Sequence, residues 1–185
     1  MLMVALGLLI WSGVHLFPAA ARPTRRRLVE KLGEKPYQGL FALSLLFAIL
    51  LMVFGWRSIL PTGLYGPPAW GLRAAEVGVF LALFSFAASA IPSNVQRMIR
   101  HPQLCGVAVW AGSHLLANGD QRSVLLFGGM LAWSVIEIVF INRRDGAWQK
   151  PGPLPDSAIA KPLIAAAVIY LGLFFAHPWI AGMAA

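Results

Sequence analysis

The sequence predicts an all-α integral membrane protein, a bundle of six transmembrane helices with both termini outside the cytoplasm. The chain is 58% hydrophobic and only 12% charged, with a mean hydropathy of +0.70, whereas soluble domains are about one quarter charged. Its apolar runs are long and lack the alternation of barrel strands, which favours helices. With 185 residues, there is room for about six spans of roughly 20 residues. We therefore expect one membrane domain covering residues 1–185.

The predicted spans follow the apolar runs: Met1–Pro18, Leu40–Leu60, Ala74–Ile91, Pro102–Asn118, Val124–Asn142 and Pro162–Ile180. The fourth span is the weakest, because its strongly apolar part ends just before the turn signal Asn118-Gly119-Asp120. Ala108 and Gly112 form a small-xxx-small pair in this span, which favours a position enclosed by other helices.

The basic residues predict the orientation in the membrane. Three of them, Arg57, Arg73 and Arg122, fall on one side of the predicted spans, and twelve fall on the other. The positive-inside rule places the richer side in the cytoplasm. That side holds Arg22, Arg25, Arg26, Arg27, Lys31, Lys35, Arg97, Arg100, Arg143, Arg144, Lys150 and Lys161. Because these residues lie in short connections between apolar runs, the net charge of +8 indicates contact with membrane lipid and no nucleic-acid binding.

One ten-residue pattern occurs twice within apolar runs. The copies are Gly7-x3-Trp11-x-Gly13-x-His15-Leu16 and Gly106-x3-Trp110-x-Gly112-x-His114-Leu115. In each copy, Trp precedes His by four residues, so the two rings share a helix face and the indole can form one wall of a pocket. An ionisable group at bilayer depth indicates a functional site. The alternative is that each imidazole only hydrogen-bonds a neighbouring helix.

Haem is the cofactor that best suits two imidazoles in an apolar interior. Low polarity favours the neutral imidazole, which is the form that binds iron axially. Zinc requires further His, Cys or carboxylate ligands. Cys105 lies nine residues before His114, on nearly the opposite helix face, so it is a poor zinc ligand there.

Four other polar residues are candidates for smaller roles. Glu137 lies inside the fifth span and needs a partner, either Arg97 or Arg100 in a structural role, or a proton relay or haem edge in a functional one. Asn118, one turn beyond His114, either orients the imidazole or ends the helix. His101 and His177 lie near the ends of spans, where contact with water or headgroups explains them.

Several segments together resemble the NnrU family. They are Gly13-Val14-His15, Gly33-Glu34-Lys35-x-Tyr37-x-Gly39-Leu40, Arg100-His101-Pro102-Gln103-Leu104, Trp110-Ala111 and the run from His114 to Asp120. This family contains bacterial inner-membrane proteins associated with denitrification and the zeta-carotene isomerases of plants and cyanobacteria. In the isomerase branch, haem b is held by two histidines. The resemblance implies that these ligands are His15 and His114. From their positions in the spans, we expect Trp11, Trp110, Asn118 and Glu137 around the cofactor.

The two expected ligands differ in predicted depth. The first predicted span centres near residue 10 and the fourth near residue 111. At 1.5 Å per residue, His15 then lies about 7 Å to the cytoplasmic side of the midplane and His114 about 4 Å to the outer side. His101 is nearer to His15 in depth and is therefore the alternative ligand.

The resemblance implies redox-linked chemistry of haem b, with two alternatives that the sequence leaves open. One is cis-trans isomerisation of an apolar polyene of carotenoid type, and the other is a supporting role in denitrification beside a redox partner. A different class of function is a non-enzymatic transporter or an assembly partner of a respiratory complex, in which the histidines merely join helices. Triad or paired-carboxylate hydrolysis is disfavoured because the chain has only seven acidic residues.

Overall fold

The structure, a computed structural model, describes residues 1–181 and is helical throughout its regular elements. The described residues form α1 (Leu2–Ala20), α2 (Arg22–Leu32), α3 (Glu34–Arg57), α4 (Gly71–Ala90), α5 (Val95–Met98), α6 (Pro102–Ala117), α7 (Gln121–Asp145) and α8 (Ala160–Ala181). A short 3₁₀ helix, Asp156–Ile159, precedes α8. Within the described residues there is no strand longer than an isolated bridge between Gly63 and Asp120. The predicted all-α class is confirmed.

In the part of the chain that the structure describes, five helices are long and apolar enough to cross a membrane: Leu2–Ala20, Glu34–Arg57, Gly71–Ala90, Gln121–Asp145 and Asp156–Ile180. Their large apolar side chains are widely exposed, for example Leu9, Phe47, Ile164 and Phe175. Exposed apolar surface on this scale marks a contact with lipid or another partner. The protein is therefore an integral membrane protein.

The predicted fourth span corresponds to α6, which has only 16 residues. At 1.5 Å per residue it rises about 24 Å, less than the roughly 30 Å of a bilayer core. The count of six crossings is therefore not confirmed by helix length. The predicted position of the C-terminus concerns residue 185, which lies outside the described residues.

Sequence reasoning missed α2 because its residues, Arg-Pro-Thr-Arg-Arg-Arg-Leu-Val-Glu-Lys-Leu, contain no apolar run. Pro23 lies in its first turn, where a missing N–H has no cost. Gly33 ends it with φ of +85°, a conformation that favours glycine. Gly33 thus separates the polar helix α2 from α3, and the basic residues of α2 follow the C-terminal end of α1.

The described chain divides into two compact units, of which the first comprises Met1–Tyr65 and Asp120–Gly146. Here α1 packs against α3 and α7. Glycine permits the close approach: a Cβ on Gly7 would lie 2.7 Å from the carbonyl oxygen of Ala48, and one on Gly129 would lie 2.7 Å from a methyl of Leu8. Small residues are what allow membrane helices to pack this tightly.

The second unit comprises Gly66–Gly119 and the chain from Ala147 onward. In this unit α4 packs against α6 and α8. A Cβ on Gly71 would collide with the carbonyl oxygen of Leu116, and one on Gly78 would collide with the hydroxyl of Ser113. These two glycines hold α4 directly against α6, the helix that carries the second copy of the sequence repeat.

Candidate functional site

Each histidine of the repeat forms the same hydrogen bond within its own helix. Nδ1 of His15 lies 2.9 Å from the carbonyl oxygen of Trp11, and Nδ1 of His114 lies 2.8 Å from the carbonyl oxygen of Trp110. A carbonyl oxygen only accepts, so Nδ1 must carry the proton in both rings. In the neutral imidazole, this leaves the lone pair on Nε2, the atom that can bind a metal.

The glycines of the repeat also behave alike in the two copies. The first one packs against a neighbouring helix: a Cβ on Gly106 would lie 2.8 Å from the Phe86 ring, as one on Gly7 would meet α3. The second one, Gly13 or Gly112, has no such neighbour within 4 Å. The repeat thus encodes one local structure twice, a close helix contact followed by a Trp and His pair.

Aromatic rings surround His15 in the first unit. Its ring centroid lies 4.3 Å from that of Trp11, 4.9 Å from that of Trp133 and 5.8 Å from that of Phe41. These rings come from α1, α7 and α3, so all three long helices of the unit contribute to the wall. The side chains in contact with the His15 ring are therefore aromatic.

Three buried polar atoms have no hydrogen-bond partner among the described residues: Nε1 of Trp11 and Nε1 of Trp133, whose rings contact His15, and Oε2 of Glu137, one turn beyond Trp133 on α7. The Trp133 and Glu137 residues are only 5% and 6% exposed. The Trp133 indole lies near the Glu137 carboxylate, but the two groups do not reach the geometry of a hydrogen bond. A buried polar group without a partner costs about 1–3 kcal/mol. The cluster is therefore a natural place for a ligand with polar edges.

The charged neighbour of Glu137 is Arg144, two turns further along α7. Pairing with Arg97 or Arg100 stays a prediction; Arg97 donates a hydrogen bond of 2.7 Å to the carbonyl oxygen of Pro151. Within the first unit, the basic group that interacts with Glu137 thus lies on its own helix.

In the second unit, His114 lies among polar and aromatic groups of α6 and α8. The Trp110 ring centroid is 5.0 Å from that of His114, and the His177 centroid is 6.4 Å away. Asn118 donates from Nδ2 to the backbone carbonyl oxygen of His114 at 2.9 Å. This bond stabilises the end of α6, and Asp120 then caps the start of α7.

His101 flanks α6 as its N-cap residue. It lies 13 positions before His114, which corresponds to about 20 Å along a helix. His101 and His114 therefore cannot bind the same iron.

Two neighbours of the predicted site residues, Phe41 and Trp133, were missed in the sequence, and His177, which was assigned to contact with water or headgroups, lies beside His114. One of them had a detectable signal, because Trp133 precedes Glu137 by four residues, the same spacing as the Trp and His pairs. The position of Phe41 depends on which face α3 turns toward α1, and the apolar sequence of α3 does not define a face.

Residues 3–185 match the family described as NnrU protein. The chain belongs to the NnrU family. The resemblance that the sequence motifs predicted is thus confirmed over nearly the whole chain. No curated protein and no solved structure matches this NnrU-family chain.

Proposed function

We propose that this NnrU-family protein is a haem b protein of the bacterial inner membrane, with His15 and His114 as the iron ligands. The proposal rests on the hydrogen bond that both imidazoles form in the same way. In each ring the proton lies on Nδ1, so the lone pair of Nε2 can bind a metal. A metal-binding histidine commonly donates its other N–H to a carbonyl oxygen, which fixes the ring and raises its basicity.

The surroundings of His15 fit haem in two respects. The apolar rings of Trp11, Trp133 and Phe41 exclude water and favour the neutral imidazole. The indole N–H groups of Trp11 and Trp133 have no partner among the described residues, so they are available to donate to polar groups on the edge of a ligand.

Bound haem would supply an iron whose redox state and axial ligation can change. The chain itself would bind and orient the macrocycle through His15 and His114, and would keep water away through the tryptophans. We propose that this serves either cis-trans isomerisation of an apolar polyene or a supporting redox role in denitrification. In this proposal α6 is a sixth crossing, which leaves both termini outside the cytoplasm.

The alternative, a transporter or an assembly partner of a respiratory complex, requires that the histidines join helices. The Nδ1–H groups of His15 and His114 bond within their own helices, so these donors do not link one helix to another. This observation favours the haem protein.

The test is to purify the full chain from haem-replete cells and to measure its haem content and absorption spectrum. We expect one haem b for each chain, or its uptake when haem is added to the apoprotein. A colourless protein that gains no haem on reconstitution would contradict the proposal and favour the transporter or assembly role.

A further inference from the structure

A second site lies at one end of the first unit, where α1 ends, α2 and α3 begin and α7 ends. It is a cavity of about 650 Å³, within the usual size range of small-molecule sites. Three arginines line it, Arg22, Arg25 and Arg144, together with Tyr37 and Gln38. Pro18 and Phe41 form its apolar part.

The lining contains three guanidinium groups and no carboxylate. Asp145, outside the lining, contacts Arg144 at 2.7 Å and Arg22 at 3.9 Å, and Glu137 also acts on Arg144. Among the described residues Arg25 has no ion pair and lies over the Tyr37 ring, 5.4 Å from its centroid. The acidic side chains of the described residues therefore neutralise only part of the positive charge of the cavity.

A hydroxyl group without a partner adds a neutral donor. The oxygen of Tyr37 is buried and has no hydrogen-bond partner among the described residues. Gln38, in contrast, donates to Glu34 at 3.2 Å. Guanidinium groups with a hydroxyl donor suit the oxygens of a phosphate, which binds arginine in a bidentate manner.

The cavity does not include His15, the iron ligand proposed for the first unit. Phe41 does line it, and the Phe41 ring centroid lies 5.8 Å from that of His15. The cavity also lies where the apolar helices α1, α3 and α7 reach their basic ends. This position favours a ligand that lies at the membrane surface over a group that binds iron within the bundle.

We propose that this cavity, which we call the arginine pocket, binds the phosphate of an anionic membrane phospholipid. The guanidinium groups of Arg22, Arg25 and Arg144 hold the phosphate oxygens, and the Tyr37 hydroxyl donates to one of them. The glycerol and the start of the acyl chains lie against Pro18 and Phe41. Basic pockets between membrane helices at the cytoplasmic surface recognise lipid headgroups by this chemistry.

The experiment compares two arginines of α2 that differ only in their position. Arg25 lines the pocket, whereas Arg27 is exposed and does not, so Arg25→Gln and Arg27→Gln remove the same charge. The full chain is purified in neutral detergent, freed of lipid, and titrated with phosphatidylglycerol or with phosphatidylcholine of the same acyl chains. Bound lipid is counted by native mass spectrometry, and the unfolding temperature confirms that each variant is folded.

We expect the wild type to bind one phosphatidylglycerol more tightly than phosphatidylcholine. Arg25→Gln weakens this binding about fivefold, while Arg27→Gln changes it much less. Tyr37→Phe keeps the charge and the ring, and weakens binding about threefold through the lost hydroxyl. Millimolar inorganic phosphate does not displace the lipid, because it lacks the glycerol and acyl contacts.

Three results would overturn the proposal. Equal losses in Arg25→Gln and Arg27→Gln would indicate a diffuse attraction to the surface. Displacement of the lipid by inorganic phosphate would indicate a soluble anion as the occupant. Unchanged lipid binding with a lower haem content in Arg25→Gln would assign the arginines to the carboxylates of haem.

Discussion

At the scale of single residues, the two repeat histidines are held by their own helices. Their hydrogen bonds to the carbonyl oxygens of Trp11 and Trp110 follow from the four-residue spacing, which stacks the two residues on one helix face. The sequence could therefore predict both pairs. The spacing of Trp133 before Glu137 marks Trp133 as a candidate, but its contact with His15, like that of Phe41, depends on how α7 and α3 are rotated against α1.

The unpartnered indole of Trp11 provides a prediction for this scale. Trp11→Phe removes a buried N–H that has no partner among the described residues, so we expect the apoprotein to be no less stable. If the N–H donates to the cofactor, haem affinity falls about fivefold. Thermal unfolding of the apoprotein and haem titration measure the two effects.

Trp179→Phe is the matched control, because Trp179 is strongly exposed on α8, and it should change neither quantity. A Trp11→Phe protein with unaltered haem affinity would exclude the indole N–H from cofactor binding.

At the scale of helices, apolar length identifies most elements but not their ends. The predicted second span, Leu40–Leu60, begins six residues late, since α3 starts at Glu34. The polar residues of its first turns can be helical because they lie at the membrane end, where water satisfies their side chains. Helix α2 was missed because an amphipathic polar helix has no apolar run that would mark it in the sequence.

The glycines of the repeat give a paired prediction about helix packing. Gly7→Ala places a Cβ about 2.7 Å from the backbone oxygen of Ala48, so we expect α1 and α3 to separate and the unfolding free energy to fall by about 1–3 kcal/mol. Gly13→Ala meets nothing within 4 Å and improves helix propensity. Its stability should be equal or higher. Unfolding in detergent measures both, and equal destabilisation of the two variants would contradict the packing described for α1.

The start of α7 depends on a side-chain cap. Asp120 accepts hydrogen bonds from the backbone N–H groups of Arg122 and Ser123, each at 3.1 Å. Asp120→Ala should therefore lower the unfolding free energy by about 1 kcal/mol. Asp120→Asn retains a capping oxygen and should lose less. If the Asn variant were as unstable as the Ala variant, the ion pair with Arg122 would be the main contribution of Asp120.

At the scale of the whole molecule, the sequence predicted the membrane class and the family, because both rest on properties spread along the chain. The number of crossings rests on one short helix, α6, whose 16 residues do not decide the matter by length. Here the distribution of basic residues, twelve on one side of the predicted spans and three on the other, is the stronger argument.

Topology gives the prediction at this scale. With α6 as a sixth crossing, both termini lie on the outer side, whereas five crossings would place them on opposite sides. After Cys105→Ser, which removes the one native cysteine, a single cysteine is added at either terminus and treated with a membrane-impermeant maleimide in intact cells. We expect both termini to react, and labelling of only one would contradict six crossings.

The central claim, that His15 and His114 are the iron ligands, is tested most directly by the oxidised and reduced absorption spectra of His→Ala variants. We predict that His15→Ala and His114→Ala each lose the bis-histidine spectrum, while His101→Ala and His177→Ala retain it. A bis-histidine spectrum that persists in His114→Ala would contradict the account.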